Sequence, residues 1–140
     1  MREILFRAKT ADNEPRWVEG YYAFDGIHWI EGKSIKSPGF CEAIPIDPET
    51  LGQFTGLYDK NGVRIFEGDV LKHYNNSFEG CDIGRVFWSQ KLCDYRRTSS
   101  LPDAQFRPVD YSMGAHCEYE VIGNIYDNPE MLKEGENDLP

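Results

Sequence analysis

The sequence has no apolar stretch near the roughly 20 residues that a membrane-spanning helix requires, and no apolar leader segment at its start. It also has no window in which apolar residues keep the 3.6-residue period of a helix for long enough to make one stable. These absences predict a protein with few helices and no membrane contact. We therefore expect a soluble protein of the cytoplasm.

Cysteine and histidine are scarce, and their spacing lacks the close ligand pairs of a structural zinc site. No two cysteines form a C-x-x-C pair, and without a leader segment free thiols are expected rather than disulfides. One histidine precedes a cysteine directly, but adjacent side chains on a strand point to opposite faces. We therefore expect neither a metal nor another cofactor. The residues concerned are Cys41, Cys81, Cys93, Cys117, His28, His73 and His116.

Positive charge is also in short supply, since the net charge of the 140 residues is −9. Such a balance argues against a broad phosphate-binding face. One segment has a net positive charge, because residues 85–107 carry five cations against Asp94 and Asp103. Phe87, Trp88 and Tyr95 lie between these charged residues. Aromatic rings among cations suit stacking of nucleic-acid bases, although a solvated loop around "RRTSSLPD" also explains the pattern. The candidate nucleic-acid contacts are Arg85, Lys91, Arg96, Arg97 and Arg107.

What the sequence does have is frequent turns and many β-forming residues. Its 13 glycines and 8 prolines are spread along the chain, and between them lie short pieces such as "WVEGYYAF", "DIGRVFWS" and "EYEVIGNIY". The pattern predicts a mainly β fold. Two short helical turns are predicted where an Asp or Asn cap precedes proline, at Asp47-Pro48 and Asn128-Pro129.

Residues 53–74, "QFTGLYDKNGVRIFEGDVLKHY", hold the densest set of turn signals. Asn61-Gly62 predicts a type I′ hairpin, and Gly68 predicts a second reversal or bulge. Glu67 and Asp69 would then share the face of one strand. With Asp59 they raise the possibility of a Mg²⁺ or Ca²⁺ site, or of a paired-carboxylate hydrolase. Turn chemistry explains the same residues, and we favour that interpretation.

Three stretches together resemble the YopX family of phage and prophage proteins. They are "FRAK" at 6–9 with Trp17, "TGLYDKNGVRIFEGDVL" at 55–71 and "EVIGNIYDNPEML" at 120–132. The resemblance implies an N-terminal β portion, taken as residues 1–49, and a C-terminal SH3-like barrel, taken as residues 50–134. The acidic residues 135–140 are expected to form a flexible tail. The resemblance also implies oligomers and transfers no catalytic residue.

These observations predict a module that is not an enzyme, self-associates and acts by binding an unidentified protein partner inside infected or lysogenic bacteria. Self-association is further favoured by ring surface that so small an N-terminal portion cannot easily bury alone. Nucleic-acid binding through residues 85–107 is the alternative, and a metal-dependent hydrolase using Glu67 and Asp69 is a remote one. The aromatic residues concerned are Trp17, Tyr21, Tyr22, Phe24, Trp29 and Phe40.

Overall fold

The computed structural model describes residues 3–34, 37–74, 81–99, 110–113 and 118–132. Strands dominate these ranges and helix is sparse, so the predicted mainly β fold is confirmed. The strands are β1 (Phe6–Lys9), β2 (Trp17–Phe24), β3 (His28–Lys33), β4 (Cys41–Pro45), β5 (Gly52–Tyr58), β6 (Arg64–Phe66), β7 (Asp69–Tyr74), β8 (Cys81–Ser89), β9 (Asp94–Thr98), β10 (Asp110–Ser112) and β11 (Glu118–Asn124).

The chain divides into two compact units, residues 1–56 and 57–140. The domain limits expected from the sequence, 1–49, 50–134 and 135–140, stay a prediction. Two sheets account for the strands. One has the order β4-β3-β2-β1-β5-β6 and the other the order β10-β9-β8-β7-β11.

The first unit is built from consecutive antiparallel hairpins whose side chains alternate between a buried and an exposed face. Along β2, Val18 and Gly20 are buried whereas Glu19 and Tyr21 are exposed, which is the period of two that a strand imposes. A bridge between Thr10 and Ile46 links the end of β1 to the residue after β4. The sheet therefore curves around its core, which consists of Ala8, Val18, Ile30, Ile44 and Ile46.

The predicted helical turn at Asp47-Pro48 is confirmed. The 3-10 helix Pro48–Thr50 begins with proline, and the Asp47 carboxylate accepts the Glu49 amide at 3.1 Å. At the other predicted site, helical residues 130–132 follow Pro129. There the Asn128 side chain accepts the Asn124 amide at 3.3 Å instead of capping the turn that follows it, and that part of the prediction is wrong.

The second unit packs its core on one side of the five-stranded sheet. Ile65, Leu71, Val86 and Tyr119 are its buried members. Among the described residues this sheet does not close into a barrel, and the SH3-like part of the prediction is not confirmed. The β-forming piece "EYEVIGNIY" forms β11 only as far as Asn124, with a bulge between Val121 and Gly123. Ile125 and Tyr126 lie in a turn, so the continuous strand predicted to include them is shorter than predicted.

The turn at Asn61-Gly62 exists, but it is not type I′. Gly62 has a φ of 80°, while Cys93 is the one non-glycine residue with positive φ in the described part of the chain. The Gly62 amide donates to the Asp59 carbonyl, and the Asp59 amide donates to the Val63 carbonyl. These bonds define a three-residue loop in which glycine alone takes the left-handed conformation. The left-handed conformation expected of Gly68 is confirmed, with a φ of 87°.

Free thiols are confirmed for Cys41 and Cys93, both of which are exposed. In the same described ranges, no helix has the length and apolar character needed to cross a membrane.

Candidate functional site

Asp59, the first carboxylate of the turn-rich segment, is buried and bonded to three main-chain amides. It accepts from Asn61 at 2.8 Å and from Val63 at 2.9 Å, which fixes the hairpin loop. Its other oxygen accepts from Val121 on β11 at 3.0 Å. Each of these bonds orients the carboxylate toward the main chain, so its role is to hold the turn.

The ionised state of Asp59 is stabilised by these bonds. Burial pushes the pKa of the carboxyl up, but the amides of Val121, Val63 and Asn61 and the nearby Lys60 charge outweigh it. The pKa therefore lies below its usual value of 3.8. A carboxylate held in this way is a poor proton donor or acceptor near neutral pH.

Glu67 and Asp69 do not share a strand face as predicted. The reversal at Glu67-Gly68 separates them, and β7 begins only at Asp69. The Asp69 side chain is 1% exposed and accepts the Phe66 amide at 2.8 Å. The described residues contain no group of three His, Cys, Asp or Glu side chains placed to hold a metal ion. The geometry thus assigns structural roles to Asp59 and Asp69.

The basic segment contains a buried ion pair that the sequence did not reveal. Arg97 on β9 is 6% exposed and donates from Nη1 to Oδ2 of Asp82 on β8 at 2.6 Å. Ser99 donates its hydroxyl to the same oxygen at 2.8 Å. Nη2 of Arg97 lies 3.0 Å from Nδ1 of His73 on β7. Because a guanidinium only donates, Nδ1 of His73 must accept, and the imidazole is neutral in this arrangement.

Two causes lower the pKa of His73 below its usual value of 6.5. Burial is the larger, the charge of Arg97 is the second, and Asp82 opposes both. The Tyr119 ring covers one side of the imidazole, with ring centroids 5.3 Å apart. Arg97, Asp82, Ser99 and His73 thus form one polar cluster, which ties β7, β8 and β9 together.

Strand register explains why the side chains of Arg96 and Arg97, which are neighbours in the chain, lie on opposite faces of the sheet. Arg97 pairs with Val86 and shares its buried face, whereas Arg96 pairs with Phe87 on the opposite face. The Arg96 side chain is 15% exposed and its Nη1 lies 3.1 Å from Oδ2 of Asp94. The structure therefore separates two arginines that the sequence grouped.

The remaining predicted cations are more accessible. Arg85 on β8 and Lys91 in the turn between β8 and β9 are exposed. Nearby, Trp88 is exposed and meets the Tyr95 ring edge-on at a centroid distance of 4.9 Å. Arg107 lies outside the described residues. Of the five predicted contacts, the structure places Arg85 and Lys91 where a large anion can reach them.

Three aromatic residues of the first unit present their rings to solvent. Tyr21 is 68% exposed, Phe24 is 62% exposed and Phe40 is 70% exposed. Isolated exposed apolar side chains are common on protein surfaces, but these three come from one unit with a small core. With the exposed Ile4 and Ile27, they form part of the apolar surface of this unit that is available for contact with another molecule. The Phe24 ring also contacts that of His28, at a centroid distance of 4.6 Å.

The other three aromatic residues considered in the sequence have partners within the first unit. Trp17 lies beneath two cations, the Arg7 Cζ atom being 4.8 Å and the Lys9 Nζ atom 5.5 Å from its ring centroid.

Tyr22 and His28 are joined by a hydrogen bond of 2.5 Å between the tyrosine hydroxyl and Nδ1 of the imidazole. Trp29 donates its indole N–H to Asp25 at 2.8 Å. These rings serve mainly the unit itself.

Comparison with known proteins agrees with the resemblance found in the sequence. The YopX protein family matches residues 5–133 of this chain. The crystal structure of protein EF1440 from Enterococcus faecalis is similar at 26% sequence identity and a TM-score of 0.48, covering 94% of this chain and 99% of that one. No curated protein matches the chain.

Proposed function

This chain belongs to the YopX family, and from that premise we propose that it is a module without enzymatic activity that self-associates and acts by binding. We place it in the cytoplasm of bacteria that carry the corresponding phage or prophage. Its partner is a protein, and it requires no cofactor.

The observation that carries this proposal is the exposure of Tyr21, Phe24 and Phe40 on the first unit. Burying an aromatic side chain removes roughly 150–250 Å² from water, and because Tyr21 and Phe24 lie on opposite faces of β2, the rings supply contact surface on both faces of the sheet rather than one interface core. Aromatic residues are also enriched in the buried cores of interfaces relative to other surface residues. A second copy of the chain, brought by self-association, is the occupant we propose for them.

The carboxylates of the turn-rich segment support a role without catalysis. Asp59 binds three main-chain amides, and Asp69 binds the Phe66 amide while almost fully buried. Paired-carboxylate chemistry needs two accessible groups whose pKa values are pushed apart. Asp59 and Asp69 instead stabilise the fold from inside it.

The test is the particle mass in solution, measured by light scattering at micromolar concentration. We expect a mass that is a multiple of the 16.1 kDa monomer. A Tyr21→Ser/Phe24→Ser/Phe40→Ser variant should shift the mass toward the monomer. A Tyr58→Ser/Val63→Ser/Leu92→Ser variant of the second unit, whose side chains are also exposed, is the matched control and should not. A wild-type protein of monomer mass would contradict the proposal.

Nucleic-acid binding is a second proposal, supported by the exposure of Arg85 and Trp88 on β8 and of Lys91 in the turn that follows it. Exposed cations meet phosphates and an exposed ring stacks on a base, but Arg85 and Trp88 lie on opposite faces of β8, which limits the contacts that one nucleic-acid strand makes at the same time. The net charge of −9 opposes such binding. We therefore propose it as weak and dependent on salt.

A further inference from the structure

Strand β4 leaves part of its main chain unpaired at the end of the first sheet. The Ser34 amide donates to the Phe40 carbonyl and the Ile46 amide donates to the His28 carbonyl. In this register the even-numbered residues of β4 bond to β3, and the odd-numbered ones point their N–H and C=O groups away from it. The main-chain groups of Cys41 and Ala43 therefore face outward, and no described residue binds them.

At the C-terminal end of β4, this outer edge is already paired with another part of the chain. The Ala11 amide donates to the Pro45 carbonyl at 3.0 Å, and Thr10 forms a bridge with Ile46. Beyond Ala11 the chain leaves this edge, and Arg16 returns to Thr10, whose amide donates to its carbonyl. The described residues of this chain thus pair with the outer edge of β4 only as far as Pro45. An incoming strand would pair with the next outward-facing residues, Ala43 and Cys41.

A recess of about 250 Å³ lies between this loop and β4. Thr10, Asp12 and Arg16 line one side, and residues 42–45 line the other. The Arg16 guanidinium lies 4.0 Å from the Asp12 carboxylate, so that pair is loose and both side chains are about half exposed. With Glu42, the recess carries two carboxylates against one guanidinium.

We propose that this edge binds an extended, basic peptide segment of another protein. Alternating N–H and C=O groups on β4 are complementary to the main chain of a strand, which is the geometry of strand addition. The lining of the recess, with two carboxylates to one guanidinium, and the net charge of −9 favour a cationic segment. A second copy of this acidic chain is disfavoured at this edge by the same charge.

The proposal rests on the proposed binding role but not on self-association. The particle mass tests self-association, whereas the β4 amides report binding of the peptide. The probe is an eight-residue peptide of alternating Thr and Lys, titrated to millimolar concentration into ¹⁵N-labelled full-length protein. We expect the amide resonances of Cys41 and Ala43 to shift and their hydrogen exchange to slow. Strand addition tolerates different side chains, so a missing response at these amides would overturn the proposal.

Two peptide controls separate strand addition from attraction between charges. A peptide of alternating Thr and Glu should not bind, because its charge matches that of the recess. A Thr-Lys peptide with proline at two central positions should bind much more weakly, because proline cannot donate to the edge. Equal binding by either control would overturn the proposal. Shifts of the same amides on raising the protein concentration alone would also overturn it, in favour of pairing between copies.

Protein variants test the part that charge plays. Asp12→Asn keeps the acceptor that binds Thr10 and the Glu14 amide but removes the charge, and we expect affinity to fall about three- to fivefold. Glu14→Gln removes the same charge from an exposed residue of the same loop that does not line the recess. It should change affinity less than about twofold. Equal losses in the two variants would show that bulk charge, not this recess, attracts the peptide.

Discussion

The carboxylate of Asp59 accepts the amide of Val121 at 3.0 Å, although the two residues are 62 positions apart in the chain. Next to this bond, the Lys60 amide donates to the Tyr119 carbonyl at 2.9 Å. The Lys60 ammonium also lies 3.7 Å from a Glu120 carboxylate oxygen. The tip of the hairpin therefore covers part of the outer edge of β11. The dense turn signals of this segment serve to cover one edge of the sheet of the second unit.

Replacing Asp59 should destabilise this unit strongly. Asp59→Ala leaves three amides without their charged acceptor, and we expect a loss of about 2–4 kcal/mol in the free energy of unfolding. The matched control is Asp25→Ala, in the exposed turn between β2 and β3, which should cost about 1 kcal/mol. Urea unfolding followed by tryptophan fluorescence measures both. Equal losses would show that the bond to β11 contributes little.

Asp59 also predicts a response to acid. Its folded pKa lies below 3.8, so the stabilisation that it gives is complete above that value and is lost as pH falls through the folded pKa. Asp59→Asn has no such titration. The difference in unfolding free energy between wild type and Asp59→Asn should stay constant above about pH 5 and narrow toward pH 3. A difference that widens on acidification would mean that the pKa is raised instead.

His73 predicts a second and separate effect at higher pH. Its folded pKa is below 6.5, so above that value both states are neutral and stability does not depend on this residue's titration. As pH falls below 6.5 the unfolded chain binds the proton first, and stability decreases until pH passes the folded pKa. His73→Gln keeps an acceptor for Arg97 and should reduce this fall in melting temperature between pH 7 and 5. His28→Gln, in the first unit, is the control and should retain it.

Two glycines of the hairpin region should respond differently to substitution. Gly62→Val and Gly68→Val both force a β-branched residue to positive φ, at a cost of about 1–3 kcal/mol each. A Cβ at Gly68 would also lie 3.1 Å from Cε2 of Tyr126, whereas nothing lies within 4 Å at Gly62. Asparagine tolerates this conformation, so Gly62→Asn should be mild and Gly68→Asn should not. Unchanged melting temperatures in both valine variants would contradict the turn geometry.

Local chemistry made much of the fold predictable. The turns at Asp47-Pro48, Asn61-Gly62 and Glu67-Gly68 all exist, because each depends on residues within a few positions of one another. The wrong turn type predicted at Asn61-Gly62 also arises because the prediction used only neighbouring residues. That dipeptide fits both a two-residue loop and a three-residue loop, and the bonds between Asp59 and Val63 select the longer one.

The candidate sites were harder to predict because they depend on pairing between distant strands. Asp82 and Arg97 are 15 residues apart, and only the alignment of β8 with β9 places both on the buried face. Alternation along β8 gives a partial signal, since Asp82, Gly84 and Val86 are all buried. Nothing in the local sequence shows that Asp59 meets Val121 or that the edge of β4 is open beside Ala43.

The buried position of Arg97 sharpens the nucleic-acid prediction, which now depends mainly on Arg85 and Lys91. We expect single-stranded DNA to bind weakly and with a dependence on salt. Arg85→Glu/Lys91→Glu should make the fall of log affinity with log salt less steep by about one to two, because each phosphate contact contributes about 0.7 to its steepness. Arg16→Glu/Lys33→Glu makes the same change in net charge on the first unit and should leave most of the slope.

Arg97 provides a further control, because it should affect stability rather than binding. Arg97→Gln leaves the Asp82 carboxylate buried without its cation, and we expect a loss of about 3–5 kcal/mol in the free energy of unfolding. Below the melting temperature of that variant, the salt slope should match that of the wild type, because this guanidinium already binds Asp82. DNA affinity that ignores salt, or equal losses in the two glutamate pairs, would refute the electrostatic model, whereas no DNA binding at low salt would favour a protein partner.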